Sequence, residues 1–301
     1  MTESTSPAQK LRGLLADESN IVIGPGIYDG FTARIALAAG FSCLYMTGAG
    51  TTMSRLGMPD LGIATLNDMR DNASMIASLD RSIPVIADMD TGYGGALMVG
   101  RAVEQYIDAG VAAFHIEDQV VTKRCGHLRG KELVDEDEWC TRIRACVNAR
   151  TKSGRDIVII ARTDSLQGSG YDAALKRLRL ALDLGADVAF LEGIETKEQG
   201  RQICKDLAPK PVLLNMVQGG VTPHYTAAEA KEDGFRMVIY PGLALGPVYK
   251  GVAEACEKLR KTGDVEKAEG ATVRDVFGIC GLKEAIEFDV AAGGKLYKSG
   301  V

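Results

Sequence analysis

Read for apolar and polar positions alone, the chain repeats one device: an amphipathic stretch closes on a glycine, and a short apolar run comes next. Gly40 leads into Phe41–Met46, Gly110 into Val111–Ile116, Gly185 into Val188–Leu191 and Gly234 into Phe235–Tyr240. Glycine suits the left-handed backbone that ends a helix and feeds the next strand. The stretch before Gly185 has the clearest helical period. Ala174, Leu175, Leu178, Ala181 and Leu182 share one face, with Lys176, Arg177 and Asp183 among the remaining positions.

Eight apolar runs predict strands: Ile21–Gly24, Cys43–Met46, Val85–Ala87, Ala112–Ile116, Ile157–Ala161, Val188–Leu191, Val212–Leu214 and Met237–Tyr240. They alternate with helical patterns, and they are continuously apolar rather than alternating. Both features point to parallel βα units buried on two faces, and eight such units predict an α/β fold closed into a (β/α)8 TIM barrel. An open doubly wound sheet is the runner-up, but no G-x-G-x-x-G comes after the first run. No low-complexity linker divides the chain, so residues 1–301 read as one barrel domain with 247–301 as a C-terminal helical extension. That extension holds a helix at Pro247–Lys261, a polar stretch at Thr262–Gly270 and helical segments at Val273–Cys280 and Leu282–Ala292. It exceeds what one barrel needs and is expected to pack on a partner subunit.

Composition narrows the function classes. With 46% hydrophobic residues among 301, there is ample material for a large core. The net charge is −5 without a basic cluster, so a nucleic-acid partner is not expected. No apolar run reaches membrane-spanning length, and residues Met1–Asn20 lack the apolar segment of a secretory leader. The seven cysteines (Cys43, Cys125, Cys140, Cys146, Cys204, Cys256, Cys280) are scattered singly, which argues for a reducing, cytoplasmic compartment.

The polar residues at the end of each apolar run carry the chemistry. The runs end in Thr47-Gly48-Ala49-Gly50, Asp88-Met89-Asp90, Glu117-Asp118, Arg162-Thr163-Asp164, Glu192-Gly193 and Asn215. In a barrel these ends surround one mouth, so six strands deliver acid, amide, hydroxyl or guanidinium groups to one place. In Asp88-x-Asp90-x-Gly92-x-Gly94 one aspartate is placed to hold a metal directly and the other through water. The only nitrogen candidates, His115, His127 and His224, lack zinc spacing, so Mg2+ or Mn2+ is favoured. The bland alternative is one capping and one turn aspartate.

Lys123-Arg124-Cys125-Gly126-His127 is the sharpest motif. Neighbouring positive charge is expected to lower the thiol pKa of Cys125 and make it a nucleophile or proton-transfer group. The alternative is a structural cysteine beside a solvated basic turn. The other six cysteines read as packing, His115 as a satisfied core histidine and His224 as a loop residue.

Together these segments resemble the isocitrate lyase/phosphoenolpyruvate mutase superfamily. The resemblance covers about Ile21 to Pro247 and rests on Tyr45–Gly50, Pro59–Gly62, Asp88–Gly94, His115–Asp118, Lys123–His127 and Ala161–Asp164. The K-R-C-G-H string resembles the lyase branch, and the phosphonate-forming mutases lack that cysteine. Isocitrate lyases proper carry K-K-C-G-H and long insertions. The similar groups are 2-methylisocitrate lyase, 2,3-dimethylmalate lyase and oxaloacetate hydrolase.

The resemblance implies that Asp88 holds Mg2+ directly, with Asp90, Asp60 and Glu117 around it. It implies that Thr47, Gly48 and Ala49 contact a 2-oxo acid carboxylate and that Arg162 pairs with a substrate carboxylate. Glu192 and Asn215 would face the second product. Lys123, Arg124, Gly126 and His127 would share a mobile gating loop with Cys125. It also implies a helix exchanged between subunits and a homo-oligomer, a dimer of dimers. The expected reaction is cleavage of a 2-hydroxy dicarboxylate to pyruvate and a carboxylic acid, with Cys125 protonating the departing carbanion and Tyr45 one candidate for the hydroxyl base. Oxaloacetate hydrolysis is the alternative. Hydrolases of this kind look as if they carry serine where this chain has Pro241. A phosphonopyruvate- or phosphoenolpyruvate-mutase-type enzyme is disfavoured by Cys125, and a non-catalytic barrel by the presence of Asp88, Arg162 and Cys125 together.

Overall fold

The structure, a computed structural model, describes residues 5–265 and 272–297. The first four residues of the Met1–Asn20 segment, most of the latter half of Thr262–Gly270 and the last four residues of the 247–301 extension lie outside the described residues. Eight parallel strands close in sequence order: β1 (Val22–Ile27), β2 (Leu44–Met46), β3 (Val85–Asp88), β4 (Ala113–Glu117), β5 (Val158–Thr163), β6 (Val188–Leu191), β7 (Val212–Asn215) and β8 (Met237–Tyr240), with β8 pairing back onto β1. The predicted barrel is therefore found, and the open sheet is not. Gly40, Gly110, Gly185 and Gly234 all hold positive φ, between 82° and 111°, as the turn into a strand requires.

Between the strands run α2 (Gly30–Ala38), α3 (Gly48–Leu56), α4 (Leu66–Leu79), α5 (Ala96–Ala109), α6 (Glu136–Ser153), α7 (Leu166–Ser169), α8 (Tyr171–Asp183), α9 (Lys197–Leu207) and α10 (Ala227–Glu232), all preceded by α1 (Pro7–Ala16). All five residues that gave α8 its period are buried. The core has two parts. An outer one fills the space between strands and helices. An inner column of Val22, Cys43, Ile86, Ala113, Val158, Ile160, Val188, Phe190, Leu213, Met237 and Ile239 fills the barrel, and Leu11 of α1 joins it. Arg12 ties α1 to Asp156 at 2.7 Å and Asp187 at 2.9 Å, residues just before β5 and β6, so α1 closes the N-terminal end of the barrel. The Ser6–Gln9 capping box around Pro7 is the sequence signal for this helix.

Several strands extend past their apolar runs. Asp88, Glu117, Arg162, Thr163 and Asn215 lie within strands, not after them. An apolar run reports burial among apolar neighbours, whereas the backbone ladder continues under polar side chains.

Beyond β8 lie α11 (Leu245–Thr262), α12 (Val273–Ile279) and α13 (Leu282–Ala291), none with a buried residue. Val252, Phe277 and Phe288 are 57%, 54% and 78% exposed, a cost for large apolar groups left in water. Cys256 and Cys280 sit on this exposed tail, so they are not packing residues as expected, while Cys43, Cys140, Cys146 and Cys204 are buried. Among the described residues, no helix is long and apolar enough to cross a membrane.

Leu178, fully buried on α8, tests this core. Leu178→Ala should cost about 2–5 kcal/mol in chemical unfolding, and Lys176→Ala on the exposed face under ~0.5 kcal/mol. Equal effects would contradict the assigned face.

Candidate active site

All eight strands are parallel, so their C-terminal ends share one mouth. Parity then decides what points inward. Tyr45 lies two residues beyond Cys43, Asp88 beyond Ile86, Glu117 beyond His115, Arg162 beyond Ile160 and Asn215 beyond Leu213, continuing the inner column. Glu192 stands in the same relation to Phe190. All of these polar residues are buried.

Arg162 is the hub. Its Nε and Nη2 donate to Asp164 Oδ2 and Oδ1 at 2.9 and 3.0 Å. Nε lies 3.4 Å from Glu117 Oε2, and Nη2 lies 3.3 Å from Glu192 Oε2. The guanidinium carbon stands 5.1 Å from the centre of the Phe190 ring. Burial opposes the charge, but Asp164, Glu117 and Glu192 outweigh it and hold the guanidinium charged. Burial also pushes Asp164 up, yet Arg162 and Lys131 prevail and hold it near about 2. Glu192 accepts from Asn215 Nδ2 at 2.9 Å. Asp118 fixes the strand end, accepting from Thr163 Oγ1 at 2.6 Å, the Asp164 N–H at 2.9 Å and Arg177 Nη1 at 3.1 Å.

A second cluster surrounds Lys123. Its ammonium lies 2.5 Å from Asp90 Oδ1, 2.9 Å from Asp60 Oδ1 and 4.0 Å from Glu117 Oε1. Burial alone would lower the Lys123 pKa, but these acids outweigh it and keep the amine charged. Asp90 has φ of 47°, a left-handed turn that an aspartate tolerates better than most residues. Burial pushes its carboxyl up to about 6 despite Lys123. Asp88 accepts from the Gly48 N–H at 3.2 Å and the Asp90 N–H at 2.9 Å, and burial raises its pKa as well. Only glycine fits at position 48, because a methyl group would strike Asp88 Oδ2 and stand 2.7 Å from Cγ.

Glu117 is buried with neither carboxylate oxygen hydrogen-bonded, and burial drives its pKa well above the carboxylate range. A carboxylate so placed needs a proton or a cation. Among the described residues, no three acid, histidine or cysteine side chains close into a metal cage. Magnesium requires less: one or two carboxylates, with water and substrate oxygens completing an octahedron. The oxygen donors Asp88 and Glu117, with Asp90 and Asp60 behind, fit Mg2+ or Mn2+ on those terms.

The Cys125 loop leaves and rejoins the barrel at a paired base. Gln119 bridges Leu133, and the Gln119 side chain bonds both backbone groups of Arg124, at 2.9 and 3.1 Å. Cys125 is half-buried, and Gly126 rests on Arg162, Glu192 and Asp164. His127 Nε2 lies 3.4 Å from Glu192 Oε1. The Arg124 side chain points outward, toward the Arg129 carbonyl at 3.5 Å.

This geometry reverses the expected thiol shift. Burial raises the Cys125 pKa, and Arg162 and Lys123 offset it only in part. The reason is visible: Arg124 turns to solvent and Lys123 is spent on acids. The thiol is therefore built to hold its proton. Tyr45, one candidate for the hydroxyl base, lies beside His115. Its hydroxyl lies 2.9 Å from His115 Nε2, and burial drives the phenol well above its ordinary value. Burial lowers His115 to about 3, so its imidazole is neutral. Its Nδ1 has no hydrogen-bond partner and lies 3.6 Å from Asp88 Oδ1, so His115 is a core histidine satisfied at one nitrogen only.

Thr47 caps α3, accepting from the Gly50 N–H, and Gly48 gives its N–H to Asp88. The Ala49 N–H has no partner among the described residues and is the first-turn donor open to an anion. Pro241 comes after β8 with its carbonyl against Gly26, continuing the parity of Met237 and Ile239. Sequence reasoning placed Asp118 and Asp164 among the strand-end groups without assigning either a role, and missed Lys131. The signals for them were an acid two positions after the arginine in Arg-Thr-Asp and a basic residue shortly after the cysteine motif.

Residues 11–260 match the family described as phosphoenolpyruvate phosphomutase. The 2,3-dimethylmalate lyase of Eubacterium barkeri is 36% identical over 291 residues, covering 95% of this chain and 99% of the relative. A crystal structure of a 2,3-dimethylmalate lyase, a PEP mutase/isocitrate lyase superfamily member, is 56% identical with a TM-score of 0.96, covering 99% of each chain. Oxaloacetate acetylhydrolase bound to the inhibitor 3,3-difluorooxalacetate is 52% identical with a TM-score of 0.95, covering 97% of this chain and 99% of that one. Phosphonopyruvate hydrolase, crystallised with oxalate and Mg2+, is 27% identical with a TM-score of 0.82, covering 95% of this chain and 98% of that one.

The raised thiol pKa has a direct readout. Alkylation of Cys125 by iodoacetamide, read by peptide mass spectrometry, should accelerate only as pH rises past the ordinary thiol range of about 8.5. An inflection below that range would restore the thiolate reading.

Proposed function

The chain belongs to the phosphoenolpyruvate phosphomutase family, within the PEP mutase/isocitrate lyase superfamily, and from that premise we propose that it is a carbon–carbon lyase cleaving a 2-hydroxy dicarboxylate of the 2,3-dimethylmalate type to pyruvate and propionate. A 2-methylisocitrate-like acid is the second substrate of the same class. The observation that carries this reading is the seating of the Cys125 loop. The half-buried Cys125 thiol, whose pKa burial raises, sits next to Gly126, whose backbone rests on the Arg162–Glu192 pair.

Each residue then has a share of the work. Arg162 Nη1, with no hydrogen bond to a described residue, is free to take a substrate carboxylate. The Ala49 N–H at the start of α3 adds a second anion contact. Asp88 and Glu117 would hold Mg2+ or Mn2+, with Asp90 and Asp60 around them. When bound, that ion lowers the pKa of the substrate hydroxyl and stabilises developing negative charge. As the C2–C3 bond breaks, the hydroxyl proton passes to a water molecule and on to solvent, and the bonding pair passes to C3. Cys125 Sγ–H then donates its proton to C3, and the thiol is regained from solvent on product release. Glu192, Asn215 and His127 bound the space of the second product, and Lys123 supplies the positive charge that lets Asp60, Asp90 and Glu117 share one pocket.

Oxaloacetate hydrolysis is the rival activity, given the 52% identity to an oxaloacetate acetylhydrolase. The position of Pro241 favours the lyase. Proline offers neither a side-chain hydroxyl nor an N–H to a hydrated ketone, and an unpaired hydroxyl costs about 1–3 kcal/mol, while a buried methyl group gains about 0.8 kcal/mol. The exposed apolar residues of α11, α12 and α13 support a homo-oligomer with this tail packed on another copy. Light scattering at micromolar concentration should give a mass above one chain, and a monomer would contradict it.

Two experiments test the chemistry. Cys125→Ser should lose about 10²-fold or more in kcat while keeping its unfolding midpoint, and chelation should abolish turnover until Mg2+ or Mn2+ is restored. Near-normal turnover of the serine variant would remove the thiol from the mechanism. In a comparison of kcat/KM on one preparation, 2,3-dimethylmalate should lead 2-methylisocitrate and oxaloacetate. Oxaloacetate hydrolysis exceeding both cleavages tenfold would replace the lyase reading.

A further inference from the structure

Lys131 lies outside the Cys125 motif and has no part in the reaction as described above. Its side chain is almost fully buried, and its ammonium makes two contacts that no other described residue makes together. It donates to the Gly126 carbonyl at 2.8 Å and to Asp164 Oδ1 at 3.0 Å. The first belongs to the residue after Cys125. The second is the carboxylate oxygen that also accepts from Arg162 Nη2 at 3.0 Å. One ammonium therefore joins the backbone beside the thiol to the carboxylate that orients the guanidinium.

We infer that Lys131 is a positioning residue: it latches the Cys125 loop onto Asp164 and so sets the thiol and Arg162 in one frame. Three features of the loop support this. Its base is already fixed by the Gln119–Leu133 bridge and by the Val120 N–H to Glu132 carbonyl bond at 3.0 Å, so one tie near the tip is enough to fix the rest. The Gly126 backbone lies flush on the site. A methyl there would run into Arg162 Nη2 and stand 2.8 Å from Glu192 Cγ and 3.0 Å from Asp164 Oδ1. Finally, apart from Lys123, which pairs with Asp90 and Asp60 ahead of the thiol, the contacts that remain between the tip and the barrel mouth are weaker. His127 is 3.4 Å from Glu192, with neither ring nitrogen hydrogen-bonded, and Arg124 faces outward. After Cys125, the buried charge-assisted bond from Lys131 to Asp164 at 3.0 Å is the tie that also holds the Gly126 backbone.

The inference rests on the proposal that Cys125 donates the proton in turnover, but its test does not. Iodoacetamide modification of Cys125 in the unliganded enzyme reports whether the loop is seated, whatever the thiol does in catalysis. Gly126→Ala, which cannot seat, provides the open reference. Lys131→Met keeps the stem and removes the charge, Lys131→Gln is the alternative should the methionine variant not fold, and Lys131→Arg is the rescue. The latch predicts that alkylation of Cys125 in Lys131→Met or Lys131→Gln rises about tenfold or more, toward the Gly126→Ala rate, a change of about 1.4 kcal/mol in the seating equilibrium. It predicts a kcat loss larger than any change in KM, and at least partial return of both readouts in Lys131→Arg. Unchanged alkylation would overturn the latch. So would a raised KM at constant kcat with normal alkylation, which would make Lys131 a simple attractor for anionic substrate. Raised alkylation with unchanged kcat would preserve the latch and remove Cys125 from the reaction.

Discussion

Everything at the mouth of the barrel depends on one buried guanidinium. Arg162 stands within hydrogen-bonding or ion-pair distance of Asp164, Glu117 and Glu192. Three carboxylates brought this close inside a protein cannot all stay ionised without a matching cation. Arg162 supplies that charge, and its planar fork also fixes the direction of each acid. Lys123 repeats the arrangement one strand away for Asp60, Asp90 and Glu117. Glu117 is the shared member, facing both cations without a hydrogen bond to either. It is therefore the carboxylate with most to gain from a divalent ion.

The barrel explains how such a cluster is tolerated. Two-residue parity runs the inner apolar column directly into the polar layer, so rigid strands, not loops, hold Asp88, Glu117, Arg162 and Asn215. The chemistry held outside the strands is confined to the loop between Gln119 and Leu133. There burial works on a thiol in the opposite sense from its basic neighbours in sequence, and burial wins. A thiol that keeps its proton is suited to quenching a carbanion, whereas a thiolate would be suited to attack. The same two residues, Arg162 and Asp164, serve as the floor on which the loop closes.

Much of this is legible in the chain. The eight runs, the glycine stops and the α8 face survive in the structure because each stems from burial and backbone geometry alone. The six polar strand ends are legible for the same reason. Direction is not. Arg124 and Lys123 are adjacent basic residues, yet one faces solvent and the other is buried among acids. Adjacent positions in an irregular loop carry no period, so no pattern distinguishes them. The pairing of Lys131 with Asp164 escapes a reading of local motifs because the two lie 33 positions apart in sequence. Cys256 and Cys280 mislead because the period of an exposed apolar helix is the same as that of a buried one.

The central claim, that Arg162 is the counter-charge holding three buried acids together, has a direct test in the unfolding free energy of Arg162→Met at two pH values. Methionine keeps the apolar stem, so the loss measured is that of charge. With the guanidinium gone, Glu117, which burial already raises, is pushed higher still, and Asp164 loses the main charge that depresses it. The stability that Glu117 then contributes is present at low pH and is lost as pH rises. The account predicts a deficit of about 3–5 kcal/mol at about pH 7.5 that shrinks markedly at about pH 5.5, a gain on acidification larger than the one the parent protein makes through Glu117 and Asp90. A deficit under about 1 kcal/mol, or one independent of pH, would contradict it.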